Sequence, residues 1–174
     1  MADRPPRFVI QKHAATTVHY DFRLEVDGTL RSWAVPKGPS TDPRQRRLAV
    51  EVEDHSLAYG DFEGVIGAGG YGAGAVIVWE AGTYVNLDEE RSMAESLAAG
   101  HAKFWLEGEK LRGGWTLHRT SAGRKPQWLL NKRRDEGADA RRNPQSTQPE
   151  SVKTGRTLEQ LTSSDGLSGA VARA

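Results

Sequence analysis

The amino-acid sequence predicts a mainly β protein, an antiparallel barrel or sandwich with one clear helix. Seven or eight short segments alternate apolar and polar residues, and a period of two is typical of a half-buried β-strand. Tight turns rich in Gly and Pro separate these segments, as expected where antiparallel neighbours are joined directly. At 174 residues and without an internal repeat, the chain is long enough for a core that needs no disulfide.

Four strands are predicted in the first third of the chain. Asp27-Gly28 between apolar alternations is a strong hairpin signal, so the second and third strands should pair directly. In the fourth strand, Leu48, Val50 and Val52 are predicted to face the core. These strands are predicted at residues 8–13, 19–25, 30–35 and 48–53.

The middle of the chain combines a glycine-rich stretch with the one clear helix. The glycines at 67, 69 and 72 have the spacing of a dinucleotide-binding fingerprint, but a β-branched strand follows where that motif requires a helix. We therefore expect these glycines to form a sharp bend at a sheet corner. Asp88–Ala99 is predicted to be helical, with acids in its first turn and Gly100 as its stop. The remaining strands are predicted at residues 75–79, 103–106, 114–118 and 127–132.

Composition divides the chain into a β-barrel or sandwich domain, residues 1–134, and a polar tail, residues 135–174. The tail is rich in charge, Pro, Gln and Ser, so we expect it to be partly disordered, with a short helix capped at Thr157. Residues 1–47 carry nine Lys or Arg against five acids, and residues 111–156 carry eleven against four. These basic blocks are either solvated surface or a positive stripe suited to nucleic acid.

Several classes of protein are excluded by composition. There is no cysteine, so neither a disulfide framework nor a thiolate metal site can form, and a reducing compartment fits. The N-terminal residues contain no apolar signal core, and the longest apolar run is the five residues Ala75–Trp79. We therefore expect no signal peptide, no membrane span and a cytoplasmic location.

The strand His19–Glu25 carries the strongest functional signal. His19, Asp21 and Arg23 share its polar face, with neighbouring side chains about 6–7 Å apart. Together with His13 they give the spacing His-x5-His-x-Asp, and imidazole with carboxylate suits Mn²⁺, Fe²⁺ or Zn²⁺. Arg23 adds a planar fork for phosphate. The alternatives are a solvated charged face, a surface histidine at position 13 and a structural, Asp-oriented histidine at position 19.

A further imidazole extends this pattern towards phosphoester chemistry. His55 could be a ligand, an acid or a donor to an oxyanion, whereas no role is assigned to His101 or His118. Metal, Arg and His together can hydrolyse a phosphoester, since all three neutralise charge on phosphoryl oxygens. Two other functions stay open: a non-haem iron oxygenase, because His19-x-Asp21 with a distant histidine imitates its metal triad, and a non-catalytic DNA-end-binding module.

Several motifs together resemble the 3′-phosphoesterase domain of bacterial DNA ligase D. The resemblance covers residues 8–134 in order, and Ser151–Leu158 is similar to the segment that follows this domain. It implies a compact antiparallel β-barrel with one or two flanking helices. The matching motifs are Phe8–His13, His19–Glu25, Trp33–Pro39, Glu53–Tyr59, Glu63–Gly74, Trp79–Tyr84 and Trp128–Lys132.

The resemblance also implies an activity. Such domains use Mn²⁺, with other divalent transition metals acceptable, to remove a 3′-terminal ribonucleoside and then the 3′-phosphate from DNA or RNA-tipped DNA ends. The 3′-hydroxyl that remains serves an end-joining polymerase and ligase, which with end-binding proteins are the implied partners. The implied roles are metal binding for His13, His19 and Asp21, phosphate contact and catalysis for Arg23, His55 and Tyr59, and support for Gln11, Lys37, Arg47 and Glu53.

The sequence departs from this family in three respects. Family members usually carry an arm before the first strand that helps ribonucleoside removal, whereas seven residues precede Phe8 here, so we expect phosphate removal to be the better supported step. Gly67 stands where a proline is common. The chain also lacks polymerase and ligase sequence, so we expect a stand-alone version of the domain.

Overall fold

The computed structural model describes residues 4–66 and 74–161, and within them the chain forms nine antiparallel strands, three short helices and a last helical turn at residues 158–161. The helices are the 3₁₀ helix Leu57–Asp61, α1 (Met93–Ala99) and α2 (Pro144–Thr147). The strands are β1 (Arg7–Ala14), β2 (Val18–Val26), β3 (Thr29–Val35), β4 (Arg46–His55), β5 (Gly64–Ile66), β6 (Gly74–Asn86), β7 (His101–Gly108), β8 (Arg112–Ser121) and β9 (Gln127–Lys132).

Eight of these strands close into a barrel, as the resemblance implied. Neighbours follow the order β1-β2-β3-β4-β9-β8-β7-β6, and β6 pairs back with β1 from Arg7↔Thr83 to Ala14↔Ala75. The short β5 pairs with the start of β6 outside this ring. A bulge between Ile10 and Gln11 interrupts the closing pair. Because closure pairs the first strand with the sixth, the barrel has no unpaired edge there.

The barrel interior is filled by aromatic side chains. Four tryptophans are fully buried, and Phe22 stacks on Phe104 with ring centroids 5.8 Å apart. Tyr20 and Leu24 join Phe22 in this core, so the inward parity predicted for the second strand is confirmed. The outward parity of the same strand then carries His19, Asp21 and Arg23. The buried tryptophans are Trp33, Trp79, Trp115 and Trp128.

A two-residue turn joins β2 to β3 and sets their register. Asp27 and Gly28 have φ angles of 51° and 83°, in the left-handed region that a tight hairpin turn of this kind requires. The turn pairs Val26 with Thr29, which in turn places Ser32 opposite Arg23. The predicted Asp-Gly hairpin is therefore confirmed, and it fixes one contact of the functional site.

The inward parity predicted for the fourth strand is wrong. Leu48 is 41% exposed, whereas Ala49 is fully buried and pairs with Trp128. Ala49 belongs to the same core cluster as Trp33 and Trp128, and Glu51, on the parity of Ala49, accepts a hydrogen bond from Trp128 Nε1 at 2.9 Å. Because both parities are apolar at residues 48–50, alternation alone selected the wrong face.

Helix α1 is shorter than predicted. It begins at Met93, where Ser92 and Glu95 form a capping box, and it ends at Gly100 with φ 86°, as predicted. Asp88 lies before the helix, where its carboxylate accepts the backbone N–H groups of Glu90 and Arg91. The acids therefore stabilise a preceding turn. No helix in the described part of the chain has the length and apolar character needed to cross a membrane.

The polar segment that follows β9 is held against the barrel at several points. Asp135 accepts hydrogen bonds from Lys132 and from the backbone of Gly114, and Trp79 Nε1 donates to the carbonyl of Gln148 at 2.9 Å. These contacts differ from the loose segment expected there, because the anchoring partners are backbone groups that composition does not reveal. The domain boundary at residue 134 stays a prediction.

A last helical turn, residues 158–161, packs against the start of β6. Thr157 and Gln160 bond each other reciprocally, so the predicted cap at Thr157 is confirmed. Leu158 and Leu161 are buried together with Ala75 and Ile77 of that strand. The predicted glycine bend at residues 67–72 and the chain after residue 161 lie outside the described residues.

Candidate active site

The candidate site lies on the outer face of β1, β2 and β3, beneath the 3₁₀ helix Leu57–Asp61. Val9 and Leu30 point away from the barrel interior, yet both are fully buried because this helix covers them. A Cβ at Gly60 would lie 3.2 Å from Leu30 Cδ1, so glycine allows the close approach. The polar face of β2 is therefore not a solvated surface, and that alternative is wrong: Arg23 is only 3% exposed.

His13, His19 and Asp21 converge at the edge of this covered face. The β1–β2 register pairs His13 with His19, and their ring centroids are 5.0 Å apart. His19 Nε2 lies 3.2 Å from Asp21 Oδ1, and His13 Nδ1 lies 4.0 Å from Asp21 Oδ2. All three potential ligand atoms fall within 4.8 Å of one another. Two imidazoles and a carboxylate at this spacing fit a divalent ion such as Mn²⁺, Fe²⁺ or Zn²⁺.

The positions of His13 and His19 bear on two alternatives that the sequence left open, a surface histidine at position 13 and a structural histidine at position 19. His13 is half-buried beside His19, so it is not an isolated surface histidine. The hydrogen bond with Asp21 raises the pKa of His19, which is the effect expected of an Asp-oriented histidine. That orientation is compatible with metal binding, since a fixed ring presents its nitrogen at a defined place.

Arg23 is held rigidly beside the metal-binding cluster. Its Nε donates to Gln11 Oε1 at 2.6 Å and its Nη1 donates to Ser32 Oγ at 2.8 Å. Its Nη2 lies 3.5 Å from Asp21 Oδ2. Burial lowers the pKa of Arg23 and the Asp21 carboxylate opposes this change, while a guanidinium stays charged in proteins. The site thus contains a preorganised cation whose position is fixed by two neutral neighbours and one acid.

Gln11 connects Arg23 to the covering helix. Its Nε2 donates to the carbonyls of Tyr59 and Phe62, at 2.9 and 3.1 Å, while its Oε1 accepts from Arg23. Gln11 is only 1% exposed, so these bonds are shielded from water. The amide therefore positions both the guanidinium and the segment that carries Tyr59.

Three stacked rings form the outer wall of the site. The His55 and Tyr59 centroids are 4.5 Å apart, Tyr59 and Phe62 are 5.6 Å apart, and Arg23 Cζ lies 5.1 Å from the Tyr59 ring. Burial and the nearby Arg23 lower the pKa of His55, although Glu53 and two aspartates oppose them. Burial raises the pKa of Tyr59. His55 is thus favoured as the neutral imidazole and Tyr59 as the protonated phenol at neutral pH.

The remaining predicted residues lie apart from this cluster. Arg47 donates to the carbonyls of Lys37 and Gly38, at 2.6 and 3.0 Å, and together with Lys37 it lines a polar cavity. Glu53 is exposed and acts on His55 only as a nearby charge. Among the described residues, none of these three makes a hydrogen bond or ion pair with the metal-binding cluster.

Two residues of the site were missed by the sequence-based prediction. Ser32 fixes Arg23, and Phe62 extends the ring stack and accepts from Gln11. The position of Ser32 follows from the two-residue turn at Asp27-Gly28, which could have identified it as the partner of Arg23. No comparable signal exists for Phe62, because its place depends on how the 3₁₀ helix packs.

Comparisons with known proteins identify the family of this chain. The family model of the DNA Ligase D 3′-phosphoesterase domain matches residues 11–119. The chain is 54% identical over 155 residues to the multifunctional non-homologous end joining protein LigD of Pseudomonas aeruginosa, covering 87% of this chain and 18% of that protein. It is 45% identical over 125 residues to a Mycobacterium tuberculosis LigD, described as a multifunctional non-homologous end joining DNA repair protein, covering 72% of this chain and 16% of that one.

A third relative, the LigD of Mycolicibacterium smegmatis, is 39% identical over 134 residues. The chain spans less than a fifth of the length of these curated relatives. The family model nevertheless covers more than half of the chain, and it includes all the residues of the metal-binding cluster, the arginine and the ring stack. The chain therefore belongs to the DNA ligase D 3′-phosphoesterase family.

Proposed function

We propose that this chain is a divalent-metal-dependent phosphoesterase that removes the 3′-phosphate from DNA ends, with Mn²⁺ as its ion. One observation carries the proposal: His13, His19 and Asp21 converge beside a buried arginine, Arg23. A cation site and a fixed guanidinium next to each other suit a phosphate group better than a neutral substrate. Membership in the 3′-phosphoesterase family supports the same reaction.

The proposed chemistry divides between the ion and the chain's own residues. Divalent ions bound by such donors polarise phosphoryl oxygens or activate water. Arg23 binds a non-bridging oxygen through its guanidinium, which needs no reorganisation because Gln11 and Ser32 already hold it. His55 accepts a proton from the attacking water as the new oxygen–phosphorus bond forms, since its lowered pKa leaves one ring nitrogen able to accept at neutral pH. The 3′ oxygen released from phosphorus takes up a proton from solvent. Tyr59 donates a hydrogen bond from its hydroxyl to a phosphate oxygen, because its raised pKa keeps the phenol protonated.

The proposed substrate is the 3′ end of DNA, including ends tipped with a ribonucleotide, during repair by end joining. The names of the relatives give non-homologous end joining as their process. The basic residues Lys37 and Arg47, beside their polar cavity, are proposed to contact the DNA backbone. End-joining ligase, polymerase and end-binding proteins are the proposed partners. The same metal site is proposed to serve ribonucleoside removal as a separate step.

The test uses a primer–template that ends in a 3′-phosphate, with a parallel substrate that ends in a 3′-ribonucleoside. Each is incubated with the full chain and Mn²⁺, Mg²⁺ or EDTA, and the products are resolved as 3′-phosphate and 3′-hydroxyl ends. We expect conversion with Mn²⁺, none with EDTA, and loss of conversion in His19→Ala and His55→Ala. His118→Ala is the matched control, because His118 also lies on a barrel strand but outside the site.

The outcomes separate the competing functions. Conversion that survives EDTA would contradict the proposed metal dependence. DNA binding without any conversion would favour the end-binding module, and in that case His19→Ala should leave binding intact. An untouched oligonucleotide together with turnover of 2-oxoglutarate would favour the non-haem iron oxygenase, which the family assignment does not support.

A further inference from the structure

The segment Ser151–Arg156, which we call the clamp, packs against the loop that carries Tyr59. It lies beyond residue 119, where the family match ends. Its backbone is folded tightly, since Ser151 N–H donates to Arg156 O and Gly155 N–H donates to Ser151 O. Val152 N–H donates to Val78 O at 2.9 Å, which fixes the clamp to the barrel strand β6. Ser151 itself is only 3% exposed.

Glu63 is the junction between the clamp and the loop. Its Oε1 accepts from the Val78 backbone N–H at 2.9 Å and from Ser151 Oγ at 2.6 Å, while its Oε2 accepts from Thr154 Oγ1. One carboxylate therefore ties the barrel wall to two hydroxyls of the clamp. Hydrogen bonds to a charged acceptor are stronger than neutral ones, so this junction has enough strength to fix the loop.

A second contact reaches the 3₁₀ helix itself. Lys153 Nζ donates to the carbonyl of Asp61, the last residue of that helix. Gln11 holds the carbonyls of Tyr59 and Phe62. The helix is thus held by Gln11 and by Lys153, and Glu63 fixes the chain directly after Phe62 to Val78 of β6. Tyr59, which these contacts support, is stacked on His55 and lies over Arg23.

We infer that the clamp holds Tyr59 in register with His55 and Arg23, and that Glu63 is the positioning residue through which it acts. The hydrogen bonds of the Glu63, Ser151, Lys153 and Thr154 side chains go to one another, to β6 and to Asp61. Their effect on catalysis therefore passes through the geometry of the ring stack. The expected effect on turnover rests on the proposed function, whereas the expected effect on the position of Tyr59 does not.

The experiment compares the full chain with the double variant Ser151→Ala and Thr154→Val, which removes both hydroxyl donors to Glu63. The first measurement is the NMR chemical shift of the His55 ring protons, which the stacked Tyr59 ring displaces. We expect this shift to move towards that of an unstacked histidine. The second is steady-state turnover of a 3′-phosphorylated primer, where we expect kcat to fall about 10- to 100-fold, the scale of a catalytic group misplaced by about 1 Å. The KM and the Mn²⁺ affinity should change little.

Three controls keep the result interpretable. Thr147→Val removes an exposed threonine hydroxyl from α2, in the same tail but away from Glu63, and should change neither readout. Thr154→Ser, made alone, retains the hydroxyl and should show the wild-type His55 shift and the wild-type kcat. Thr154→Val alone, at an exposed position, provides a mild variant if the double variant does not fold.

An unchanged His55 shift in the folded double variant, or in Thr154→Val where the double variant does not fold, would overturn the inference. An unchanged kcat in the same variant of an active enzyme would also overturn it. If the wild-type chain has no phosphoesterase activity, the proposed function fails but the NMR measurement still decides whether the clamp positions Tyr59. A fall in kcat accompanied by an equal loss of Mn²⁺ affinity would also contradict it, because that result would place the effect at the metal-binding cluster.

Discussion

Two cross-strand histidine pairs lie on the outer face of the barrel, and only one of them belongs to a built site. His13 and His19 pair across β1 and β2 with ring centroids 5.0 Å apart, and His101 and His118 pair across β7 and β8 at 5.8 Å. The first pair has Asp21 beside it and a covering helix above the same face. The second pair is exposed, and no carboxylate lines its shallow cavity.

The difference shows which surroundings distinguish a candidate metal site from a bare cross-strand pair of histidines. Antiparallel pairing alone brings two imidazoles close, and it does so twice in this chain. Among the residues that the structure describes, a third ligand, a buried arginine and a covering helix occur at the first pair and not at the second. These surroundings fix the side chains before any ligand arrives, which is the condition for strong electrostatic interactions.

The largest expected effect comes from making the first pair resemble the second. Asp21→Asn keeps the side-chain size but removes the charged ligand. We expect Mn²⁺ affinity to fall more than about 100-fold, since losing a partner outside the ligand set already costs 10- to 100-fold. Titration followed by electron paramagnetic resonance of free Mn²⁺ measures this. Affinity equal to that of the wild-type chain would show that Asp21 is not a ligand.

A somewhat smaller effect is expected from Arg23→Lys. Lysine keeps the positive charge but lacks the planar guanidinium, which donates to Gln11 and Ser32 at the same time. The charge is therefore no longer held in place. We expect turnover of a 3′-phosphorylated primer to fall about 100-fold, with Mn²⁺ affinity retained. Arg119→Lys, on β8 outside the site, is the matched control and should leave turnover unchanged. Full activity in Arg23→Lys would contradict the role of the fork.

Ser32→Ala tests how the arginine is fixed. The change leaves Arg23 Nη1 buried without its hydroxyl acceptor, and an unsatisfied buried donor costs about 1–3 kcal/mol. We expect the free energy of unfolding to fall by that amount in urea denaturation, together with a smaller loss of turnover. Ser121→Ala, at an exposed position in β8, should leave both unchanged.

The pH dependence distinguishes His55 from an ordinary exposed histidine. Burial and Arg23 lower its pKa, so the group loses its proton below the usual value of about 6.5. If neutral His55 is the proton acceptor, kcat/KM is constant at neutral pH and falls only as the pH drops below that value. Stability follows the same direction: below about 6.5 the unfolded chain binds the proton first, so acid lowers the free energy of unfolding. An acid limb of kcat/KM above 6.5 would contradict this assignment, as would an acid loss of stability that His55→Ala retains in full.

The smallest effect is a gain at the second pair. Thr116 lies two residues before His118 on the same strand and lines the same cavity. Thr116→Asp would supply the missing carboxylate, so we expect an additional, weak Mn²⁺ equivalent in titrations. Phosphoesterase activity should not increase, because the pair lacks the covering helix and an arginine held like Arg23. An increase in turnover proportional to the second equivalent would show that the covered surroundings are unnecessary.

The sequence was most informative where side chains obey a short period. Alternation along β2 predicted which residues fill the core, and the His-x5-His-x-Asp spacing predicted the cluster that the hairpin brings together. It failed where the answer depends on packing: Ala49, not Leu48, lies in the core. Phe62 and Glu63 gain their roles from the way a 3₁₀ helix and a distant tail meet, and no local pattern encodes that meeting.

The barrel's closing pair has a consequence for how the protein is made. His13 and His19 are separated by five residues and meet through a local hairpin, a structure that forms within microseconds. Arg7 meets Thr83 only after β6 has left the ribosome, and such distant contacts form slowly. We therefore expect the two imidazoles to come together early in biosynthesis, while the barrel closes only after β6 has been made.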